Sequence, residues 1–205
     1  MPSALREVAR RTRGFLPDDE ADALYDAAWA IAPMGPILEV GTYCGKSATY
    51  LGAAALARSS RVVTVDHHRG SEENQPGWEW HDATLVDDEV GAIDTMPFFR
   101  HTMRAAGLEE VVVAVVGRSA TVAALWSTLL AMVFIDGGHT EAAAQGDYAS
   151  WSPFVMAGGV LAIHDVFPDP KDGGQAPFHV FLRALDDGFV QIRHVGSLRV
   201  LRRPT

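Results

Sequence analysis

The sequence predicts a doubly wound α/β fold, with a mostly parallel seven-stranded sheet and an antiparallel C-terminal hairpin. Three observations carry that expectation. Five short apolar runs, at residues 37–40, 61–65, 111–116, 132–135 and 158–163, have the Val, Ile and Leu content of strands buried on both faces. Helix-forming stretches separate them, and such alternation implies parallel strands joined by right-handed crossovers. Two closing runs, 189–195 and 197–201, meet at Gly196-Ser197, a turn that suits a hairpin. At 205 residues the chain fits a single domain, residues 1–205, long enough for a substantial core.

From the N-terminus, residues 4–13 read as a short basic helix, followed by a turn at Gly14 and Pro17. Asp18 or Asp19 can cap a second helix over residues 20–32, where Leu24, Ala27, Ala28 and Ile31 fall at helical spacing. Residues 1–35 therefore form an N-terminal helical section, which could pair two copies of the chain in a homodimer. Pro33, Gly35 and Pro36 break the second helix ahead of the first strand. Periodicity lapses over residues 67–93, where Gly70, Pro76 and Gly77 stand among acids with Trp78 and Trp80. An irregular stretch this long inside a compact domain is usually functional or disordered, and the tryptophans, which seek burial, argue against simple disorder. A lid over a ligand site and a peripheral helix both fit. Asp94, Thr95 and Pro97 start a helix that stops at Gly107. Residues 111–116 read as a wholly buried strand, and Ser119 behind it suits a cap for the next helix. Further helices are expected over residues 141–150 and 178–185.

Bulk properties exclude several functions. A net charge of −9 argues against a surface that tracks phosphates, so nucleic acid is not an expected partner. One cysteine, Cys44, rules out an internal disulfide framework and fits a reducing cytoplasm. Its place near a helix start could make it reactive; packing within the loop is the simpler expectation. The N-terminus lacks the apolar core of a secretory signal. The longest apolar run, residues 122–135, is interrupted and too short for a bilayer, so no membrane is expected.

The turn after the first strand organises the rest. Glu39-Val40-Gly41-Thr42-Tyr43-Cys44-Gly45-Lys46-Ser47 reads as strand end, glycine turn and helix start. Gly41 and Gly45 allow tight backbone geometry and close approach of a ligand, and the unpaired N–H groups of the helix would face it. A P-loop needs four residues between its first glycine and Gly-Lys-Ser, so the three residues here make Lys46-Ser47 a decoy. A dinucleotide fingerprint wants glycine where Tyr43 stands. The third reading is a nucleoside-binding loop of the form Glu-x-Gly-x-x-x-Gly. Asp66 ends the next strand about 20 residues beyond Gly45, the spacing of an acid that accepts hydrogen bonds from ribose hydroxyls.

Ligands in such sheets bind beyond the carboxyl ends of the strands, and Asp66, Ser119, Asp136, His139, His164 and Asp165 all fall at that edge. Two carboxylates with imidazole can hold a divalent cation and leave positions for substrate oxygens. Such a cation would stabilise an alkoxide. His139, at an ordinary imidazole pKa of roughly 6.5, could take a proton at neutral pH. Structural readings stand beside these: Asp136 could cap the following helix, and His164-Asp165 could be an orienting pair without metal.

On these motifs, residues 38–201 resemble the class I S-adenosylmethionine-dependent methyltransferases of the small-molecule type, which are Rossmann-like. Within them the likeness is greatest to the macrocin-type sugar O-methyltransferases and their cephalosporin-biosynthesis relatives. The resemblance implies methyl transfer from S-adenosylmethionine to a small-molecule acceptor, at a hydroxyl. It implies that Glu39, Gly41, Thr42, Tyr43, Gly45 and Ser47 surround the cofactor, that Asp66 holds its ribose, and that Ser119 meets its adenine. His67 and Asp136 complete the implied cofactor contacts. In that group an Asp-x-x-His element, Asp136 and His139 here, places the Asp on a magnesium ion and the His as catalytic base. The next strand there usually ends in Glu-Asp or Asp-Asn. His164-Asp165 departs from that pattern, and imidazole is a poorer ligand than oxygen for so hard a cation. The expected metal set is Asp136, His164 and Asp165, with magnesium, manganese, iron or no metal all open. Two rival readings are a binding protein that kept the fold without the chemistry, and an oxidative enzyme using His164 and two carboxylates to hold iron.

Overall fold

The computed structural model describes residues 1–78 and 80–205. In chain order it contains α1 (Ser3–Arg11), α2 (Asp18–Ile31), β1 (Ile37–Val40), α3 (Lys46–Ala57), β2 (Val62–Asp66), α4 (Met96–Ala106) and β3 (Val112–Val116). There follow α5 (Ser119–Ala123), β4 (Leu130–Ile135), α6 (Glu141–Trp151), β5 (Val155–Ile163), α7 (Ala176–Asp186), β6 (Val190–Val195) and β7 (Leu198–Arg202). The seven strands form one sheet in the order β3-β2-β1-β4-β5-β7-β6. β1 runs parallel to β2 and β4, β2 to β3, and β4 to β5. Only β7 breaks the direction, pairing antiparallel with both β5 and β6. The expected doubly wound sheet and its C-terminal hairpin are borne out.

Every residue of β1 and β4 is buried, as continuous apolar runs require when helices cover both faces. Alternate residues serve opposite layers. Ile37 packs with α1, α2 and α3, whereas Leu38 packs with α6 and α7. The chain works outward from β1 to β3, then returns to lay β4 on the other side of β1. That reversal opens a crevice at the carboxyl ends of β1 and β4, where ligands of such sheets bind.

Several expectations change. The valine run of β3 is not wholly buried: it is the sheet's outer strand, and Val113 and Val116 stand 50% and 58% exposed. α2 starts at Asp18 behind Pro17, and no aspartate side chain caps it. Asp18, Asp19 and Glu20 instead fill its first turn, where acids favour the helix dipole. Residues 67–93 contain no α-helix among the described residues, which overturns the peripheral-helix alternative. They form the 3-10 turns Glu72–Asn74 and Ala83–Leu85 and a small hairpin of Val86–Asp87 with Ala92–Ile93. Leu85 and Ile93 bury beside Cys44, anchoring this insertion to the glycine turn, while Trp78 and Trp80 stay exposed. Glu79, inside the insertion, lies outside the described residues. No helix among the described residues is long and apolar enough to cross a membrane.

Candidate active site

The glycine turn is bound tightly between strand tips. Gly41 has φ +83°, and a Cβ there would collide with the carbonyl of Asp136, so only glycine lets β1 and β4 end so close together. Gly45, at φ +91°, opens α3 in the left-handed region. Asp66 pins the turn from β2. Its Oδ2 accepts hydrogen bonds from the backbone N–H groups of Thr42 (2.8 Å) and Tyr43 (2.9 Å), and its Oδ1 from that of His68 (2.7 Å). Tyr43, His68 and Asp165 all adopt positive φ, near 50°, 57° and 55°. Strain of this kind in residues with a side chain gathers where function holds it.

Glu39 lies under the turn, fully buried, and neither carboxylate oxygen has a hydrogen-bond partner. Burial drives its pKa up to about 8; the charges of Asp136 and Asp66 add to the rise, and the Ser47 and Thr42 side chains oppose it. Ser47 and Thr42 are buried beside it, and the Thr42 hydroxyl is also unpaired. A buried acid in this state is costly unless a ligand supplies donors. Cys44 behaves otherwise: burial pushes its thiol up to about 12, so it packs as a small apolar residue and is inert.

A second group of polar residues converges at the tips of β4 and β5. His164 is buried, with Nε2 2.7 Å from Glu20 Oε2 and Nδ1 3.0 Å from Asp136 Oδ1 and 3.3 Å from Asp165 Oδ2. Burial opposes a charge on this ring, but Asp136, Asp165 and Glu20 together hold its pKa well above the ordinary value. His164 is thus an imidazolium that donates through both nitrogens. Glu20 reaches it from α2 and also accepts from the backbone N–H (2.7 Å) and hydroxyl (3.0 Å) of Ser197.

His139 sits between two acids. Its Nδ1 is 3.0 Å from Glu73 Oε2, its Nε2 is 3.1 Å from Asp165 Oδ2, and its backbone N–H donates to Glu73 Oε1 at 3.1 Å. Burial resists protonation, yet Asp165 and Glu73 raise its pKa to about 10. The ring is therefore charged at neutral pH in the resting protein, unlike the unperturbed imidazole the sequence suggests. Asp165 is held below the usual carboxylate range, because His139 and His164 outweigh its burial.

Asp136, His139 and Asp165 bring ligand atoms within 4.8 Å of one another. This grouping differs from the expected Asp136, His164 and Asp165, because both His164 nitrogens are already bound to carboxylates. Asp136 does not cap α6; Thr140 does, accepting from the N–H of Ala143 at 3.2 Å. Ser119 does not cap α5 either. Arg118 precedes the helix, and the Ser119 hydroxyl instead accepts from the Trp151 indole N–H at 2.8 Å. His67 follows Asp66 at the same edge, its Nδ1 accepting from the Arg69 N–H. Beside Tyr43 opens a cleft of about 350 Å³ lined by Arg13, Phe15, Trp80, His81 and Asp82.

Sequence reasoning missed Glu20, Glu73 and Asp147. Glu20 reads as an ordinary first-turn acid, and Glu73 lies in a segment without periodicity. Asp147 is a nearly buried acid on α6, its Oδ2 against Gly137; an acid on a helix with alternating small residues gives no signal.

A family profile described as a methyltransferase domain matches residues 38–166. The chain belongs to that methyltransferase family, and the expected likeness to class I S-adenosylmethionine-dependent methyltransferases is borne out. Among solved structures, it resembles the O-methyltransferase TomG from Streptomyces achromogenes, solved in complex with S-adenosylmethionine, at 17% identity and TM-score 0.64, covering 100% of this chain and 91% of that one. The Podospora anserina methyltransferase PaMTH1, bound to S-adenosylhomocysteine, matches at 15% identity and TM-score 0.66, covering 100% and 89%. The calicheamicin methyltransferase CalS11 matches at 14% identity and TM-score 0.63, covering 97% and 89%. Likeness at these identities is likeness of fold.

Proposed function

We propose that the protein transfers the methyl group of S-adenosylmethionine to a hydroxyl oxygen of a small molecule. The observation that supports this best is the contact of Gly41 with the Asp136 carbonyl, with no room for a Cβ. It sets the cluster of Asp136, His139 and Asp165 at the edge of the nucleoside turn. The donor's chemistry fits the residues present: the unpartnered Glu39 carboxylate suits an ammonium group, and Asp66 retains lone-pair capacity for ribose hydroxyls. When bound, S-adenosylmethionine supplies a methyl group on a sulfonium, itself a good leaving group. The protein's work is then alignment and removal of the acceptor's proton.

In this reading His139 is the base. Glu73 keeps Nδ1–H oriented, and Nε2 becomes available once its resting proton has passed to solvent and Asp165 turns away from it. The bound donor would supply its methyl group to the acceptor oxygen, and His139 Nε2 would take the hydroxyl proton. Asp136 and Asp165 would hold a divalent cation, which would lower the hydroxyl's pKa. A second reading rests on the 4.8 Å grouping, in which His139 is a third ligand. Ser119 borders the adenine, and Thr42, Tyr43, Gly45, Ser47 and His67 complete the cofactor's surroundings. The cleft beside Tyr43 admits the acceptor. A cytoplasmic setting accords with the free thiol of Cys44. Light scattering would check the pairing of two copies through α1 and α2.

Transfer of labelled methyl to a panel of hydroxylated small molecules tests this reading. His139→Ala should lower turnover by about 10²–10⁴-fold while leaving S-adenosylhomocysteine affinity intact. Unchanged turnover in that variant removes His139 from the base role.

A further inference from the structure

Aromatic rings from three distant segments meet in the cleft beside Tyr43. Phe15 comes from the turn ahead of α2 and Trp80 from the insertion, and they remain 58% and 48% exposed. The Phe15 ring lies 5.7 Å from that of Tyr43, tilted by 37°, and 5.2 Å from that of Trp80, edge to face at 69°. Apolar surface gathered in the open in this way marks a binding site, and a cleft of about 350 Å³ suits a small molecule. The described polar groups of its wall are largely engaged with the protein itself. Arg13 donates to the Thr84 hydroxyl at 2.8 Å and stands 3.5 Å from Asp82, whose other oxygen accepts from the Thr84 amide and hydroxyl. His81 donates through Nδ1 to the Asn74 carbonyl at 2.8 Å. The turn Glu72–Asn74 also ties the cleft to the reaction cluster. Its Glu73 meets His139 Nδ1 at 3.0 Å, while Asn74 bonds His81 and, through Nδ2, the Trp80 carbonyl at 3.4 Å.

We propose that Phe15 and Trp80 select an acceptor with a flat aromatic ring, which packs against them and Tyr43. This rests on the methyl-transfer reading above, in which the cleft admits the acceptor, and adds the class that it admits. Aromatic faces and edges attract a further aromatic ring beyond the gain from burial alone. A saturated ring of the same size gains only the burial. A sugar brings several hydroxyls to a wall whose polar groups are mostly taken, and each one desolvated without a partner costs binding. Phe15 and Trp80 are thus specificity determinants for the acceptor and take no part in the bond changes.

Calorimetric titration of the protein saturated with S-adenosylhomocysteine tests the proposal. The probes are naphthylmethanol, its fully saturated counterpart decalinylmethanol, and methyl glucoside, each with a primary hydroxyl. The wild type should bind the naphthyl compound about tenfold more tightly than the saturated one, as aromatic pairing allows, and the glucoside more weakly still. Phe15→Leu and Trp80→Leu keep apolar bulk and remove a ring, so each should cut that preference by about threefold. Affinity for S-adenosylhomocysteine should stay at the wild-type value in both. Equal wild-type affinity for the naphthyl and saturated probes overturns the proposal, as does tighter binding of the glucoside. A preference that survives both substitutions does the same, because a packing defect would weaken the probes together and leave their ratio alone. A wild type that binds S-adenosylhomocysteine and none of the probes overturns this inference and leaves the methyl-transfer reading standing. Failure to bind S-adenosylhomocysteine overturns that reading, and this inference with it.

Discussion

Glu39 yields the most quantitative prediction. Its carboxyl group has an ordinary value of 4.5 and is driven by burial to about 8. Raising an acid in the folded state means the native protein keeps a proton that the unfolded chain releases. Stability from this group is therefore whole below pH 4.5, declines as pH rises from there, and is lost once pH passes 8. The full loss is about 5 kcal/mol, taken from that displacement at 1.36 kcal/mol per pH unit. Glu39→Gln removes the titration and keeps the shape. Urea melts at intervals from pH 5 to 8.5 should show the variant gaining on the wild type by about 1.4 kcal/mol per pH unit through the middle of that window. Saturating S-adenosylhomocysteine, whose ammonium group pairs with the ionised acid, should remove most of the difference. Binding of that ligand at pH 7 should release a proton, seen as a heat that changes between phosphate and Tris buffers. Parallel stability curves for the two proteins, with and without ligand, would refute the reasoning.

Two further outcomes follow from buried groups. Glu20→Ala strips a carboxylate from the buried His164 ring and from Ser197, and should cost about 3 kcal/mol or more in urea unfolding; a loss below 1 kcal/mol would mean that Asp136 and Asp165 satisfy the ring alone. Cys44 should resist a thiol reagent in the native protein at pH 8, because it is buried and its thiol is pushed up to about 12; rapid native labelling would show that the turn opens.

Much of the fold was legible because its signals are local. Ile37 to Val40 is a short apolar run, and Gly41 and Gly45 mark a turn that only glycine tolerates, so strand and turn can be read together. Asp66 and Asp136 were readable because each directly follows a strand-like run, and Asp165 because it stands one residue beyond another such run. What was not legible depends on distant neighbours. Glu73 meets His139 across 66 positions, and Glu20 meets His164 across 144. Neither contact leaves a periodicity or spacing behind. Residue type suggested that His139 could be a base, but its pKa is set by Glu73 and Asp165, which only the folded chain brings to it. β3 misled for a related reason: a valine run looks alike at the edge of a sheet and at its centre. Ser119 misled because a serine beside a helix start suits a cap, while the tertiary fold supplied Trp151 as its partner.

One rim of the sheet is proposed to hold a nucleoside methyl donor with its sulfur turned toward His139. A crystal structure with S-adenosylhomocysteine bound tests this most directly. The ribose is expected at Asp66, the ammonium group at Glu39 and the sulfur facing the cluster of Asp136, His139 and Asp165. A nucleoside seated elsewhere, or a sulfur pointing away from that cluster, would contradict it.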